Sequence, residues 1–184
     1  MIEVVIAIAI TAIITGGITM TIFQVFDGNI RSSNHMIAVK QVQNAGYWIS
    51  HDTLMAQNID TDDDAGTAET EILILTWVGW EYESGSDTCI DSHEVRYTYD
   101  SVNDKLRSHQ RITTEKYDSS GQWVETIYSP GPTENDWDTT PIAHHITTIP
   151  TAAMDGNKLI VTIKAEVGEA EEERTYEVVP RPGS

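Results

Sequence analysis

Residues 4–26 are 23 consecutive positions without a charged side chain, with Glu3 just before them and Asp27 just after. About 20 apolar residues in a helix cross the ~30 Å hydrocarbon core of a bilayer, so this run predicts a membrane span. From Ile30 the pattern changes. Ile30, Ile37, Val42, Ala45, Trp48, Ile49, Met55 and Ile59 recur at helical spacing and fall on one stripe. That is the signature of an amphipathic helix laid on a domain. No proline occurs before Pro130, so nothing forces a break. The expected element is one helix over residues 1–58, with 1–26 in the membrane and 27–58 amphipathic, roughly 85 Å long at 1.5 Å per residue. Gly16-Gly17 is its weak point, since each glycine lowers helix stability by ~1 kcal/mol relative to alanine. The pair provides either a place where the helix flexes or a place where another helix approaches closely. Met36, Val39, Tyr47 and Leu54 lie off the stripe. They read either as scattered exposed residues or as a contact face for another subunit.

After the helix the period shortens. Residues 58–71 read as an acidic loop, and residues 71–80 as a buried strand rich in β-formers. Residues 82–92 read as a polar loop. Val95, Tyr97 and Tyr99 alternate with polar residues, Asp100-Ser-Val-Asn-Asp104 is turn chemistry, and residues 105–114 pair back as a hairpin. A turn at Ser119-Ser-Gly121 leads to a strand over 122–128. Residues 129–141, with three prolines, read as a surface loop. Residues 142–149 form a further strand. Asp155-Gly-Asn157 turns the chain into a strand over 159–167, residues 168–173 read as an acidic turn, and a last strand covers 175–179, stopped by Pro180 and Pro182. One long helix followed only by strands joined through tight turns predicts an α+β fold. Residues 59–184 would be an antiparallel β domain, with the amphipathic half of the helix as its second layer.

Charge narrows the function classes. Against 29 Asp and Glu stand 11 Lys and Arg, a formal net charge of −18. Phosphate binding needs cations that release counterions, so nucleic acid is not the expected partner. The same balance argues against an electrostatic hold on anionic lipid. The single cysteine, Cys89, excludes an intrachain disulfide framework. A secretory signal would carry a positive first region, a shorter apolar core and a small-x-small cleavage site. Here the first charge is negative and the apolar run is longer, so the segment reads as a retained membrane helix.

The opening Ile2-Glu3-Val4-Val5-Ile6-Ala7-Ile8-Ala9-Ile10 resembles the mature N-terminus of type IV pilins and type II secretion pseudopilins. In that family a basic leader is cut after a glycine by a prepilin peptidase. The new N-terminal residue is methylated, and Thr-Leu-Ile-Glu precedes the apolar helix. Ile2-Glu3 match the last two of those positions, with Met1 where the leucine stands. A second, looser resemblance lies in Val95-Arg-Tyr-Thr-Tyr-Asp100 with Leu106-Arg107, and in Glu173-Arg-Thr-Tyr-Glu-Val178. Both are similar to J-type minor pseudopilins. The resemblance implies a structural subunit held in the cytoplasmic membrane before assembly and then built into a periplasmic or cell-surface filament. Its implied partners are other pilin-like subunits, the prepilin peptidase and an assembly platform. Assembly would run through Ile2, Glu3, Val4, Val5, Ile6, Ile8 and Ile10, with Glu3 paired to the N-terminal amine of a neighbouring subunit. Without that role, Glu3 is a first-turn acid favoured by the helix dipole by about 0.3–1 kcal/mol.

Other chemistry is sparse. Asp60, Asp62, Asp64 and Glu71 stand at the i, i+2, i+4 and i+11 spacing of an EF-hand calcium loop, but Gly66 falls one place late and a strand follows. A solvated acidic loop is the plainer reading, with weak Ca2+ binding as the sharper one. No cofactor is required by any motif. His144-His145 are adjacent and on a strand would point to opposite faces. No nucleophile elbow, phosphate loop or zinc helix motif occurs, so enzymatic activity is not expected. Cys89 is expected in a polar loop and Trp137 as an exposed aromatic. The rival to a filament subunit is a membrane-anchored β-domain binding module, recognising a ligand or calcium, that does not polymerise.

Overall fold

The computed structural model describes residues 2–61, 69–84, 87–131 and 136–181. Helix α1 runs unbroken over Ile2–Met55, through Gly16-Gly17. Its first thirty-odd residues stand clear of the domain, and its second half is laid along it. The helix ends three residues before position 58. There Ala56 N–H is shared between the carbonyls of Asp52 (3.1 Å) and Thr53 (3.2 Å), the tightening common in a last turn. Gln57 N–H then donates to Thr76 O at 2.9 Å, which draws the chain into strand pairing. Asn58–Asp60 is therefore a short strand, β1, and not part of a loop.

Eight further strands follow: β2 (Thr70–Ser84), β3 (Asp87–Asp100), β4 (Lys105–Tyr117), β5 (Trp123–Ser129), β6 (Asp138–His144), β7 (Thr151–Asp155), β8 (Lys158–Val167) and β9 (Ala170–Val178). All pairings are antiparallel. They form two sheets. The larger has the order β1-β2-β3-β4-β5, with β6 pairing the first half of β4 while β5 pairs the second. The smaller is β7-β8-β9. A single core joins helix and both sheets: Val42 and Ile49 from α1, Leu73, Leu75, Tyr97 and Leu106 from the large sheet, Leu159, Val161 and Ile163 from β8.

The helix packs chiefly on β8 and β9 of the smaller sheet, and meets the large sheet mainly through β6. Its buried residues are Ala38, Val42, Ala45, Gly46, Ile49, Asp52 and Thr53, mostly small ones. Small side chains let the backbone approach the sheet. A Cβ at Gly46 would overlap the Tyr176 ring, whose hydroxyl donates to Val42 O at 3.0 Å. Ile30, Ile37 and Met55 from the expected stripe are instead 58%, 38% and 47% exposed, because the domain covers neither the turns around them nor the last turn on that side.

Three further loop assignments need correction. Residues 82–92 are strand where described, because a register shift between Val78 and Glu81 lets β2 and β3 stay paired out to Ser84↔Asp87. Strand β6 begins inside the proline-rich stretch. Pro141 is tolerated since β6 is an edge strand and a register shift lies opposite, between Leu106 and Arg107. Strand β9 begins at Ala170, so the acidic turn is reduced to Gly168-Glu169. Strand β7, which no sequence pattern marks, pairs antiparallel with β8 from Thr151↔Thr162 to Asp155↔Lys158.

Candidate assembly surface

Glu3 lies in the first turn of α1, exposed. Ile2, Val4, Val5, Ile6, Ile8 and Ile10 surround it and are between 53% and 76% exposed. Thirteen large apolar side chains between positions 4 and 26 each leave 48–75% of their surface uncovered. The most apolar 18-residue window of α1 has a mean hydropathy of 2.2 and no residue buried within the protein, long and apolar enough to cross a membrane. Fully burying a large apolar side chain is worth about 1.5–3 kcal/mol, and only the uncovered part of each remains to be buried, so this surface holds back on the order of 10–25 kcal/mol until lipid or other helices cover it.

Three of the four threonines inside this stretch already have a backbone acceptor. Thr11 Oγ1 donates to Ala7 O (2.8 Å), Thr19 Oγ1 to Thr15 O (2.9 Å) and Thr21 Oγ1 to Gly17 O (2.9 Å). Those threonines add no unmet hydroxyl to an apolar environment. Glu3, Ala7, Thr11, Ala12, Thr15, Gly16 and Thr19 line a shallow strip along one side of the helix. Glu3, Ala7, Thr11, Thr15 and Thr19 are four apart, one ridge of the kind that meets another helix. Nothing lies within 4 Å of a Cβ built on Gly16 or Gly17, so both positions are open to a neighbour.

The β domain carries a second constellation that sequence reasoning missed. On the outer face of the large sheet Glu94 binds Arg96 (2.7 Å) and Arg111 (2.6 Å). Both guanidinium groups sit over the Trp137 ring, 4.7 and 4.5 Å from its centroid. Trp137 is thus half-buried rather than exposed, whereas Trp123 on β5 is exposed. Beside them Arg107 binds Glu69 (3.2 Å) and Asp100 (3.0 Å), and His109 sits between Thr98 (2.8 Å), Thr139 (2.9 Å) and Glu69 (3.4 Å). Burial holds the His109 imidazole below its ordinary 6.5, only partly offset by Glu69. The Asn103 side-chain amide, with the Asn103 and Val102 N–H groups and Arg107, holds Asp100 below the usual carboxylate range. Cation and anion alternate across neighbouring strands, which ties the sheet together. The alternation of β3 could have shown it: Val95, Tyr97 and Tyr99 face the core, so Glu94, Arg96 and Thr98 share the other face.

The remaining sequence candidates separate. Asp62 and Asp64 lie outside the described residues. Asp60 is in β1, and the Glu71 carboxylate sits 3.6 Å from Arg96. Among the described residues no group of three or more His, Cys, Asp or Glu is placed to hold a metal ion. His144 and His145 part company, His145 taking a left-handed φ of 60° just after β6 ends. Cys89 is in β3 and fully buried, not in a polar loop. Compared with protein-family models, curated proteins and solved structures, the chain matches none.

Proposed function

We propose that this chain is the structural subunit of a type IV pilus-like or type II secretion pseudopilus filament. The observation that carries the reading is the uncovered apolar helix, opened by one carboxylate, on a folded β domain that leaves it free. In the membrane the helix is an anchor, and in a filament the same surface meets other subunits. Glu3 gives the bundle its register. An ionised side chain at membrane depth costs roughly 2.5–3.5 kcal/mol and is kept only where something pairs with it. The N-terminal amine of a neighbour is the partner that the family likeness implies. Once that pair is desolvated, removing one member costs about 3–5 kcal/mol. The likeness of residues 95–107 to J-type minor pseudopilins favours the secretion pseudopilus of the two assemblies.

Glu3→Gln keeps the shape and removes the charge. Filaments sheared from cells and pelleted should then fall at least tenfold, since about 1.4 kcal/mol is already a factor of ten in an equilibrium. The variant should remain in the membrane fraction at normal levels. Undiminished filaments in the Glu3→Gln strain would remove assembly from the account.

A further inference from the structure

A cleft opens where α1 meets the hairpin turn between β8 and β9. It is lined by Asp27, Ile30, Arg31, Asn34, Gly168, Glu169 and Ala170. Arg31 and Glu169 bridge its mouth at 3.3 Å, both largely in solvent. The hairpin comes close because residue 168 is glycine with φ of +62°; a Cβ there would lie 2.6 Å from Asn34 Nδ2.

We propose that this cleft seats the headgroup of a zwitterionic phospholipid bearing a primary ammonium. The inference rests on the helix being membrane-anchored. Depth is the first support. The uncharged run ends at Phe26. At 1.5 Å per residue, Asp27 lies about 1.5 Å beyond it and Arg31 about 7.5 Å. The polar layer on each side of a ~30 Å core is about 5–7.5 Å thick, so Asp27 to Arg31 traverses it. The cleft is on the domain-facing side of the helix, at the base of the domain, where a headgroup would be enclosed between the two.

Chemistry is the second support. Asp27 and Glu169 offer carboxylates to an ammonium with three N–H donors. Arg31 has five donors and spends one nitrogen on Glu169, and Asn34 adds an amide N–H2; these suit a phosphodiester. The Arg31–Glu169 bridge is an exposed pair, so a ligand that shares both charges displaces little. Phosphatidylcholine has no N–H for the carboxylates. Phosphatidylglycerol brings an anion and no cation to a chain of net charge −18.

The full chain is extracted into detergent with equal phosphatidylethanolamine, phosphatidylcholine and phosphatidylglycerol of matched acyl chains, and retained lipid is read by native mass spectrometry. Phosphatidylethanolamine should be enriched about fivefold, and the double variant Asp27→Asn, Glu169→Gln should return retention to the bulk ratio with an unchanged circular dichroism spectrum. Retention in bulk proportion, preference for another headgroup, or enrichment that survives the double variant overturns the proposal. Alkaline carbonate extraction of the native membranes separates the two layers. A chain that stays in the membrane without headgroup preference sinks the cleft alone, and a chain that is washed off sinks the anchor beneath it.

Discussion

Asp52 is a carboxylate in the last turn of α1, buried against the large sheet. Tyr97, fully buried in β3, donates its hydroxyl to Asp52 Oδ2 at 2.5 Å, while His51 Nδ1 lies 3.2 Å from Oδ1. Burial, with the Asp52 charge beside it, pushes the Tyr97 hydroxyl far above its ordinary range, so it stays a donor. Tyr97→Phe leaves a buried carboxylate oxygen without that donor and should cost about 1–3 kcal/mol, read as a lower urea midpoint at unchanged slope. His109 gives the pH arm. Its imidazole is held below 6.5, so near pH 6 the folded chain binds fewer protons than the unfolded one. The stability it contributes is full above about pH 6.5 and is lost as pH falls through the folded value. Urea titrations between pH 7.5 and 5.5 should show stability falling with pH, and His109→Gln should flatten that slope. An equal slope in the variant assigns it elsewhere. Glu3 was legible because one acid against 23 uncharged neighbours needs no structure to be seen. The Asp52–Tyr97 pair was not, since its members are 45 residues apart and each is unremarkable in its own window.

At the scale of elements, the helix and the hairpin at Asp100–Asp104 were legible because they rest on local rules: an uninterrupted apolar period, and turn residues between alternating strands. Asp100 accepts from the Val102 and Asn103 N–H groups at 3.1 Å each, the interaction that makes such residues turn formers. What failed was long-range. The strands around residues 82–92 look polar, yet they persist because each arm supplies the other's hydrogen bonds. The helix face was legible in direction but not in composition. Large residues mark a stripe, whereas close approach also selects Ala38 and Gly46, which that stripe does not include. Gly46→Ala should therefore destabilise the domain, by about 1–3 kcal/mol from overpacking against Tyr176, although alanine is the better helix former. A thermal scan in which Gly46→Ala raised the transition would show that the helix does not rest on β9 as described.

The whole molecule is two unequal surfaces on one helix: a charged β domain, and an apolar rod with none of the described residues packed against it. The domain's ion pairs and core close on themselves, and the rod does not. Its exposed area exceeds by far what a soluble monomer leaves open, so lipid or other chains must cover it. The α+β layout was legible because one long helix followed by strands has few ways to bury an amphipathic face. The division into two sheets, with the helix chiefly on the smaller, was not, because strand order is set by pairings that leave no local trace. The central claim is that other subunits cover the rod. A photo-crosslinking residue at Ile10, activated in cells that assemble the protein, tests it directly. The account predicts a ladder of protein–protein adducts from Ile10, none from the exposed Val102 on the hairpin turn, and loss of the ladder with Glu3→Gln. Lipid adducts alone at Ile10, with no protein ladder, would contradict it.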